Sequence, residues 1–265
     1  MRPILFVNGA VLAIISLPLL VMEMRNGGAD LPFLKAFGVI VFLGLGLMLA
    51  ARGGSISFSH KQIFVLTASI WITLTFASTL PFYLFGMSLA DSVFEAASGI
   101  TTTGSTAMMG LDFTPHSILM WRAFLQWLGG IGIVVTAIAL LPFLGIGGMQ
   151  LFRTESSETS DKEMPSAAKL ATTTLWVYLA LTVLCALAYI MGGMTVFDGV
   201  AHSLTTVSTG GFSTYDASLG YFDSAWIQWT CVLFMYLGSL PFLWFIRVLR
   251  TGQIASEQIR VYTIG

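Results

Sequence analysis

Six apolar runs, each long enough to cross a lipid bilayer as a helix, dominate the 265-residue sequence. A helix rises about 1.5 Å per residue, so about 20 residues cross the ~30 Å hydrocarbon core. Hydrophobic residues make up 56% of the chain and charged residues only 9%, and a soluble domain could not bury so much apolar surface. The sequence therefore predicts an all-α membrane protein with six transmembrane helices, at residues 4–22, 31–50, 63–85, 118–144, 170–191 and 226–248.

The distribution of basic residues predicts the orientation of these spans. Six spans place both termini on one side, and cytoplasmic loops carry the excess of Lys and Arg. With the N-terminus in the cytoplasm, nine of the 12 basic residues lie inside, and Arg25, Lys35 and Arg122 lie at the outer side. Seven of the 13 acidic residues lie at the outer side, where they either raise the local cation concentration or act as ordinary solvated carboxylates. We expect both termini to be cytoplasmic.

Several classes of function fit this sequence poorly. A net charge of −1 argues against a nucleic-acid partner. The sequence contains no H-E-x-x-H, G-x-S-x-G or P-loop motif, and two cysteines cannot form a Cys₄ zinc site. We therefore expect neither an enzyme nor an organic cofactor.

The connections before the fourth and sixth spans are copies of one another, offset by 107 residues. Residues 86–93 align with 193–200, and residues 100–104 align with 207–211, without a gap between the two blocks. Six aligned pairs are identical: Gly86/Gly193, Met87/Met194, Asp91/Asp198, Val93/Val200, Thr102/Thr209 and Gly104/Gly211. Such clustered matches, each flanked by a span on both sides, indicate a structural repeat.

Each copy predicts a short helix followed by a polar loop. The helices fall at about residues 92–100 and 199–207, which is enough to reach about halfway through a membrane. We expect both to be re-entrant pore helices. Asp91 and Asp198 stand at their starts, where a carboxylate can cap free N–H groups and complement the helix dipole. The partially negative C-terminal ends of the two helices then favour a cation.

The loops that follow offer only oxygen ligands. Gly104 and Gly211 tolerate positive φ, which lets successive backbone carbonyls face one direction. Rings of such carbonyls replace the hydration shell of K⁺ in selectivity filters. The neighbouring threonine hydroxyls either add oxygens or tie the loop to its helix. The repeat therefore predicts a site for a hard cation.

Four longer stretches resemble a known family. They are residues 94–106 (FEAASGITTTGST), 125–132 (LQWLGGIG), 141–151 (LPFLGIGGMQL) and 210–223 (GGFSTYDASLGYFD). Together with the two leading spans, they are similar to the TrkH branch of the Trk/Ktr/HKT superfamily of potassium transporters. In that family one chain carries four span–pore helix–filter–span units around one pore.

The resemblance implies potassium transport by the pore-forming subunit of a Trk-type uptake system, with K⁺ as the transported ion. It places filter carbonyls at Thr102, Thr103, Gly104, Thr209, Gly210 and Gly211, with K⁺ itself held at Thr102, Thr103, Thr209 and Gly210. The residues that flank the filter are Ser105, Thr106, Phe212 and Ser213. It also implies a bacterial inner-membrane location in contact with lipid, a cytoplasmic nucleotide-binding regulatory subunit of the TrkA type, and a homodimer of the full-length protein.

The sequence contains two such units where the family has four. We expect an N-terminal half, with head-to-tail assembly of two copies as the alternative. The predicted organisation is two leading helices at 1–60, a first unit at 61–150, a cytoplasmic loop at 151–168, a second unit at 169–250 and the start of a third at 251–265. A non-conducting membrane scaffold, or a carrier for another small solute, is the alternative function.

The roles of a few residues inside the spans have alternative interpretations. Glu95 and His202 share one register in the two short helices, and either act on the ion or brace the filter from behind. Arg122 either extends to the outer interface or pairs with an outer carboxylate, or else it repels ions. Glycines of the fourth span (Gly129, Gly130 and Gly132) allow close packing or a hinge. The segment 238–241 should kink the last span, because it contains a proline.

Overall fold

The protein folds almost entirely into helices, as a computed structural model shows. The structure describes residues 1–26, 32–53, 59–144, 167–252, 259 and 263. These residues contain no β-strand, which agrees with the predicted all-α class. The helices are α1 (Arg2–Asn26), α2 (Pro32–Ala50), α3 (His60–Phe85), α4 (Leu89–Ile100), α5 (His116–Leu144), α6 (Ala167–Met191), α7 (Val196–Val207), α8 (Ala225–Ser239) and α9 (Phe242–Thr251).

Five helices of the described residues are long and apolar enough to cross a membrane. They cover Arg2–Met24, Pro32–Ala50, Lys61–Phe85, His116–Val134 and Ala171–Met191, and they correspond to the first five predicted spans. The helices α4 and α7 have 12 residues each, or about 18 Å, and fall short of the ~30 Å core. This length fits the predicted pore helices.

The sixth predicted span, 226–248, is not one helix. It consists of α8, with 15 residues, and α9, with 10, separated at Leu240 and Pro241. Leu240 is extended, with φ −70° and ψ 149°, because the proline ring disfavours a helical residue before it. Pro241 also has no N–H to donate to the preceding turn. The predicted kink is therefore a complete break.

The chain forms two compact units. The first contains residues 1–129 and 210–221, and the second contains 130–209 and 222–265. Residues 210–217 from the loop of the second repeat thus lie in the same compact unit as the loop of the first. The sequence segmentation into two leading helices and two repeats describes the covalent order and stays a prediction. The predicted cytoplasmic loop (151–168) and third-unit start (251–265) lie mostly outside the described residues.

Close helix contacts build the first unit. Gly9 of α1 lies against Gly44 of α2, and a Cβ on Gly9 would come within 2.6 Å of the Gly44 carbonyl oxygen. The Asn8 amide donates to the Ser69 hydroxyl of α3 at 2.9 Å. The indole N–H of Trp121 in α5 donates to the Ser78 carbonyl at 3.3 Å. These contacts hold α1 against α2 and α3, and α5 against α3.

Both repeats make the same turn between the span and the short helix. Gly86 and Gly193 adopt positive φ, at 111° and 103°, where the preceding helix ends. The short helices then begin three residues earlier than predicted, because Ser88 and Thr195 are the N-caps. Each hydroxyl accepts the N–H of the aspartate three residues later, at 3.1 Å, and donates to its carboxylate, at 2.7 Å from Ser88 to Asp91 and 2.6 Å from Thr195 to Asp198. The two aspartates lie in the first turn, as predicted, but the cap is the preceding hydroxyl.

Candidate functional site

The two loops, hereafter hairpin 1 (residues 101–110) and hairpin 2 (residues 208–217), share one backbone conformation. Thr102 and Thr209 have φ values of 56° and 55°, and Gly104 and Gly211 have φ values of 80° and 81°. A β-branched residue with positive φ is an outlier, and such strain persists only where the surroundings enforce it. Positive φ at alternate residues turns over the peptide planes between them, which allows neighbouring carbonyls to face one side. The repeat seen in the sequence is therefore also a repeat of an unusual backbone.

Each hairpin leaves its short helix through the same turn. The N–H groups of Thr102 and Thr209 donate to the carbonyls three residues earlier, at 3.0 Å in both copies. The hydroxyl groups of Thr101 and Ser208 donate to the carbonyls four residues earlier, at 2.7 and 2.8 Å. Hydroxyls thus tie the loop to its helix, which was one of the two roles expected for them. The partially negative helix ends stand directly before the hairpins.

Within the first unit, hairpin 1 and hairpin 2 touch. A Cβ on Gly104 would overlap the carbonyl oxygen of Gly210, so the two backbones approach as closely as glycine allows. Gly210 is buried, and Gly211 is exposed with no described atom within 4 Å of its Cβ position. Thr102 and Gly104 are half-buried and Thr103 is exposed. Five of the six predicted ion-binding residues lie in this unit, and Thr209 lies in the other.

A buried ion pair supports hairpin 1 from behind. Glu95 of α4 is 0% exposed, and its carboxylate pairs with Nε of Arg122 in α5 at 2.6 Å. The same carboxylate accepts the Thr106 hydroxyl at 3.0 Å and the Ala107 N–H at 2.9 Å. Glu95 therefore holds the outgoing part of hairpin 1, at Thr106 and Ala107. This geometry fits the brace rather than a group that contacts the ion.

Arg122 also reaches hairpin 2. Its Nη1 donates to the Ser213 carbonyl at 3.0 Å, and its Nη2 donates to the Thr106 hydroxyl at 2.9 Å. The guanidinium lies 4.2 Å from the centroid of the Phe212 ring, which is a cation–π distance. Arg122 pairs with a carboxylate, as one interpretation expected, but that carboxylate belongs to the short helix α4 and not to an outer loop.

Gln126 lies one helical turn after Arg122 and contacts the same hairpin. Its Oε1 accepts the Phe212 N–H at 3.0 Å. A Cβ on Gly210 would lie within 2.5 Å of this Oε1 and 2.7 Å of Nε2, so Gly210 packs against the amide. Nε2 itself is buried and has no hydrogen-bond partner among the described residues. Sequence reasoning did not single out Gln126. The available signal was a polar residue within an apolar span, four positions after an arginine.

The second compact unit holds the end of its own short helix, α7, in a different way. His202 takes the register of Glu95, and its ring stacks edge-on against Tyr189 and Phe222, at 6.3 and 5.5 Å between centroids. The Tyr189 hydroxyl bonds to the Thr206 hydroxyl at 2.7 Å. Aromatic packing and a neutral hydrogen bond thus stand where the first repeat has an ion pair.

Glycines of the second helix of each repeat contact the end of the short helix. A Cβ on Gly129 of α5 would overlap the Ile100 carbonyl, and a Cβ on Gly238 of α8 would overlap the Val207 carbonyl. In the second unit, a Cβ on Gly130 would lie 2.5 Å from the Tyr178 hydroxyl oxygen. Close packing therefore accounts for Gly129 and Gly130. Both repeats bring a helix backbone against the carbonyl end of the short helix.

Comparisons with known proteins agree on one family. Residues 32–260 match the family model TrkH, described as a cation transport protein. The Trk system potassium uptake protein TrkI of Halomonas elongata is 42% identical over 264 residues, which cover 95% of this chain and 52% of that protein. TrkH of Vibrio parahaemolyticus is 41% identical over 250 residues, which cover 91% of this chain and 52% of that protein.

A solved structure gives the same result. The crystal structure of the potassium transporter TrkH from Vibrio parahaemolyticus superposes with a TM-score of 0.83 at 36% identity, covering 96% of this chain and 53% of that one. The chain spans about half the length of the curated relatives it matches. On the family model and these similarities together, the chain is a membrane protein that belongs to the TrkH family of cation transport proteins.

Proposed function

We propose that this chain supplies two hairpins to the pore of a potassium transporter, as the pore-forming subunit of a Trk-type uptake system. The observation that carries the proposal is the contact between Gly104 of hairpin 1 and the carbonyl of Gly210 in hairpin 2. Two glycine-centred hairpins of the same unusual backbone meet there. The names of the relatives, Trk system potassium uptake proteins, support K⁺ as the ion.

In the proposed mechanism, carbonyl oxygens take the place of the hydration shell of K⁺. Thr102, Thr103 and Gly104 supply them from hairpin 1, and Thr209, Gly210 and Gly211 supply them from hairpin 2. The C-terminal dipole end of each short helix, α4 and α7, favours a cation at the loop that follows it. Each hairpin has one central glycine, where K⁺ channels have the longer TVGYG sequence, so we expect weaker discrimination between K⁺ and Na⁺.

Two hairpins do not enclose an ion, so the proposal includes further hairpins. Gly211 takes the position of Gly104 in the second repeat. No described atom lies within 4 Å of the position that a Cβ on Gly211 would occupy. We propose that this open side receives another hairpin, from the same polypeptide or from another copy. The relatives are about twice as long as this chain, which is consistent with two additional hairpins.

The same proposal covers location and partners. The excess of basic residues on one side favours cytoplasmic termini in a bacterial inner membrane. The family resemblance favours a cytoplasmic nucleotide-binding regulatory subunit of the TrkA type and a homodimer of the full-length protein.

Substitution of the central glycine of hairpin 1 tests the proposal. The Gly104→Ala substitution places an alanine at a φ of 80°, which residues other than glycine rarely adopt. The added Cβ would also overlap the Gly210 carbonyl oxygen. The full open reading frame is expressed in a strain that lacks its own K⁺ uptake systems, and Rb⁺ uptake is measured. We expect uptake to fall at least about tenfold, because the substitution adds more than about 1.4 kcal/mol of strain to the site. Gly46→Ala is the matched control, since Gly46 lies in α2 with open space at its Cβ position. Uptake that is equal in the two variants at equal membrane levels would refute a filter at Gly104, as a scaffold function predicts.

A further inference from the structure

Two polar side chains of α5 connect the hairpins. Arg122 and Gln126, here called the α5 clamp, are four residues apart and therefore lie on one face of the helix. They are 1% and 0% exposed. On the basis of the proposed function, we infer that the α5 clamp is a positioning device that sets the ion preference of the filter by fixing hairpin 2 against hairpin 1.

Arg122 ties the two hairpins at one point. Its three nitrogens bond to Glu95, to the Thr106 hydroxyl of hairpin 1 and to the Ser213 carbonyl of hairpin 2. A planar guanidinium offers these donors in a rigid fork, so the positions of the three acceptors are fixed relative to one another. The Phe212 ring against the guanidinium removes further freedom from hairpin 2. A lysine could not make these contacts together.

Gln126 fixes the next residues of hairpin 2. Its Oε1 holds the Phe212 N–H at 3.0 Å, and its amide fills the space beside Gly210 where a side chain would otherwise lie. Gly210 is the residue whose carbonyl meets Gly104. The length and bonding of one side chain thus set how hairpin 2 lies against hairpin 1. A binding site works only when its ligands are held within about 0.5 Å of their best geometry.

The second repeat shows that the α5 clamp is not a general requirement of this packing. The helices α5 and α8 begin at His116 and Ala225, and both bring a glycine against the end of a pore helix, Gly129 and Gly238. In this register, Cys231 and Met235 take the positions of Arg122 and Gln126. The Cys231 sulfur lies 3.4 Å from the Met235 sulfur, so two soft, uncharged side chains pack there. The same contact between a helix glycine and the end of a short helix thus forms where Cys231 and Met235 replace the two clamp residues.

The Gln126→Met variant tests the inference, because it gives α5 the residue that α8 has. Methionine fills a similar volume but cannot hold the Phe212 N–H. The full open reading frame is expressed in the uptake-deficient strain, and KM and maximal rate for Rb⁺ are measured together with inhibition by Na⁺. We expect the Rb⁺ preference over Na⁺ to fall about three- to tenfold, the range expected for loss of one hydrogen bond, while the maximal rate changes less. Gln228→Met, at an exposed position of α8, is the control and should leave the preference unchanged.

Each outcome decides a separate question. If the unmodified protein transports Rb⁺ and Gln126→Met keeps its full ion preference, the inference is wrong and the proposed pore stands. If the unmodified protein does not transport, the proposed function fails and the inference with it. If Gln126→Met does not accumulate in the membrane, Arg122→Lys decides in the same assay: it keeps the charge beside Glu95 but loses the fork. An unchanged preference in that variant overturns the inference.

Discussion

Glu95 and Arg122 form a charged pair that is almost completely buried. Their side chains are 0% and 1% exposed, and Nε lies 2.6 Å from Oε1. Hydrogen bonds from Thr106 and Ala107 satisfy the remaining capacity of the carboxylate. Removing one charge of such a pair leaves the other buried and uncompensated, whereas removing both takes away much of the penalty.

We therefore predict strong non-additivity at this pair. Glu95→Gln should lower the free energy of unfolding by about 3–5 kcal/mol, measured by SDS titration of the purified protein. Arg122→Gln alone should cost a similar amount. The double variant should cost clearly less than the sum of the two single variants. Costs that simply add would show that the two side chains do not interact in the folded protein.

Thr209 carries backbone strain that glycine would relieve. Its φ is 55°, and positive φ costs a β-branched residue about 1–3 kcal/mol. Thr209→Gly should raise the free energy of unfolding by about 0.5–2 kcal/mol, after subtraction of the extra backbone entropy of glycine. It should also reduce the preference for Rb⁺ over Na⁺, because the hairpin becomes freer.

Ser218 provides the comparison for this prediction. Its φ is 54°, and it is exposed outside the proposed filter. Ser218→Gly should raise stability in the same way and leave ion preference unchanged. A Thr209→Gly variant that is less stable than the unmodified protein would mean that no strain is stored at Thr209.

The residue-level predictions from the sequence were most successful where chemistry is local. Glycines at 104 and 211 predicted positive φ, and both have it. The roles of Arg122 and Gln126 depend on contacts with residues 86 to 91 positions away, such as Phe212 and Ser213. No periodicity or spacing in one sequence reports such contacts. Their ion-binding neighbours likewise stay a prediction, since the assignment of ligands came from the family resemblance.

At the level of elements, the repeat predicted more than the individual helices did. The 107-residue offset placed both short helices, both turns and both hairpins in equivalent conformations. The helix starts were three residues late because the aspartates were given the capping role that Ser88 and Thr195 have. A hydroxyl three positions before an acidic residue is itself a cap signal, and Ser88 and Thr195 provide it in both repeats.

The break between α8 and α9 falls at Pro241. The helices α1 and α3 contain Pro18 and Pro81 in their interiors and remain continuous, so a proline alone does not end a helix here. At Pro241 the preceding Leu240 has left the helical region entirely. Glycine and serine just before it, Gly238 and Ser239, have low helix propensity and favour an end at this point.

We predict that Pro241→Ala joins α8 and α9 into one helix. Spin labels at exposed Val232 and at Val248, in a background without the two native cysteines, report the distance between the helices. The Cα separation should rise towards about 24 Å, the length of 16 residues of continuous helix. Pro18→Ala, in a helix that is already continuous, should leave this distance unchanged. A distance that does not change in Pro241→Ala would assign the break to packing around Leu240 instead.

At the level of the whole molecule, the site is an assembly of sequence-distant backbone. Hairpin 1 and residues 210–217 of hairpin 2 lie in one compact unit, although more than 100 residues of sequence separate them. Carbonyl groups carry no sequence signal of their own, so only the repeated glycine pattern could predict their proposed use as ion ligands. A ligand held by carbonyls from several hairpins should also hold those hairpins together, because it binds the folded state and not the unfolded chain.

This linkage gives a prediction for the protein expressed from the full open reading frame. In detergent, its melting temperature should rise with K⁺ or Rb⁺ concentration, and should rise less with Na⁺, at constant chloride made up with choline. An ion at 100 times its dissociation constant adds about 2.7 kcal/mol to the free energy of unfolding. General salt effects would change the melting temperature equally with all four cations. In the Gly104→Ala variant the contact at Gly210 is displaced, so its melting temperature should no longer differ between K⁺ and choline. Melting curves that are the same in K⁺ and in choline would show that no carbonyl cluster binds the ion in the resting protein, and the hairpins would then need another reason to share their strained backbone.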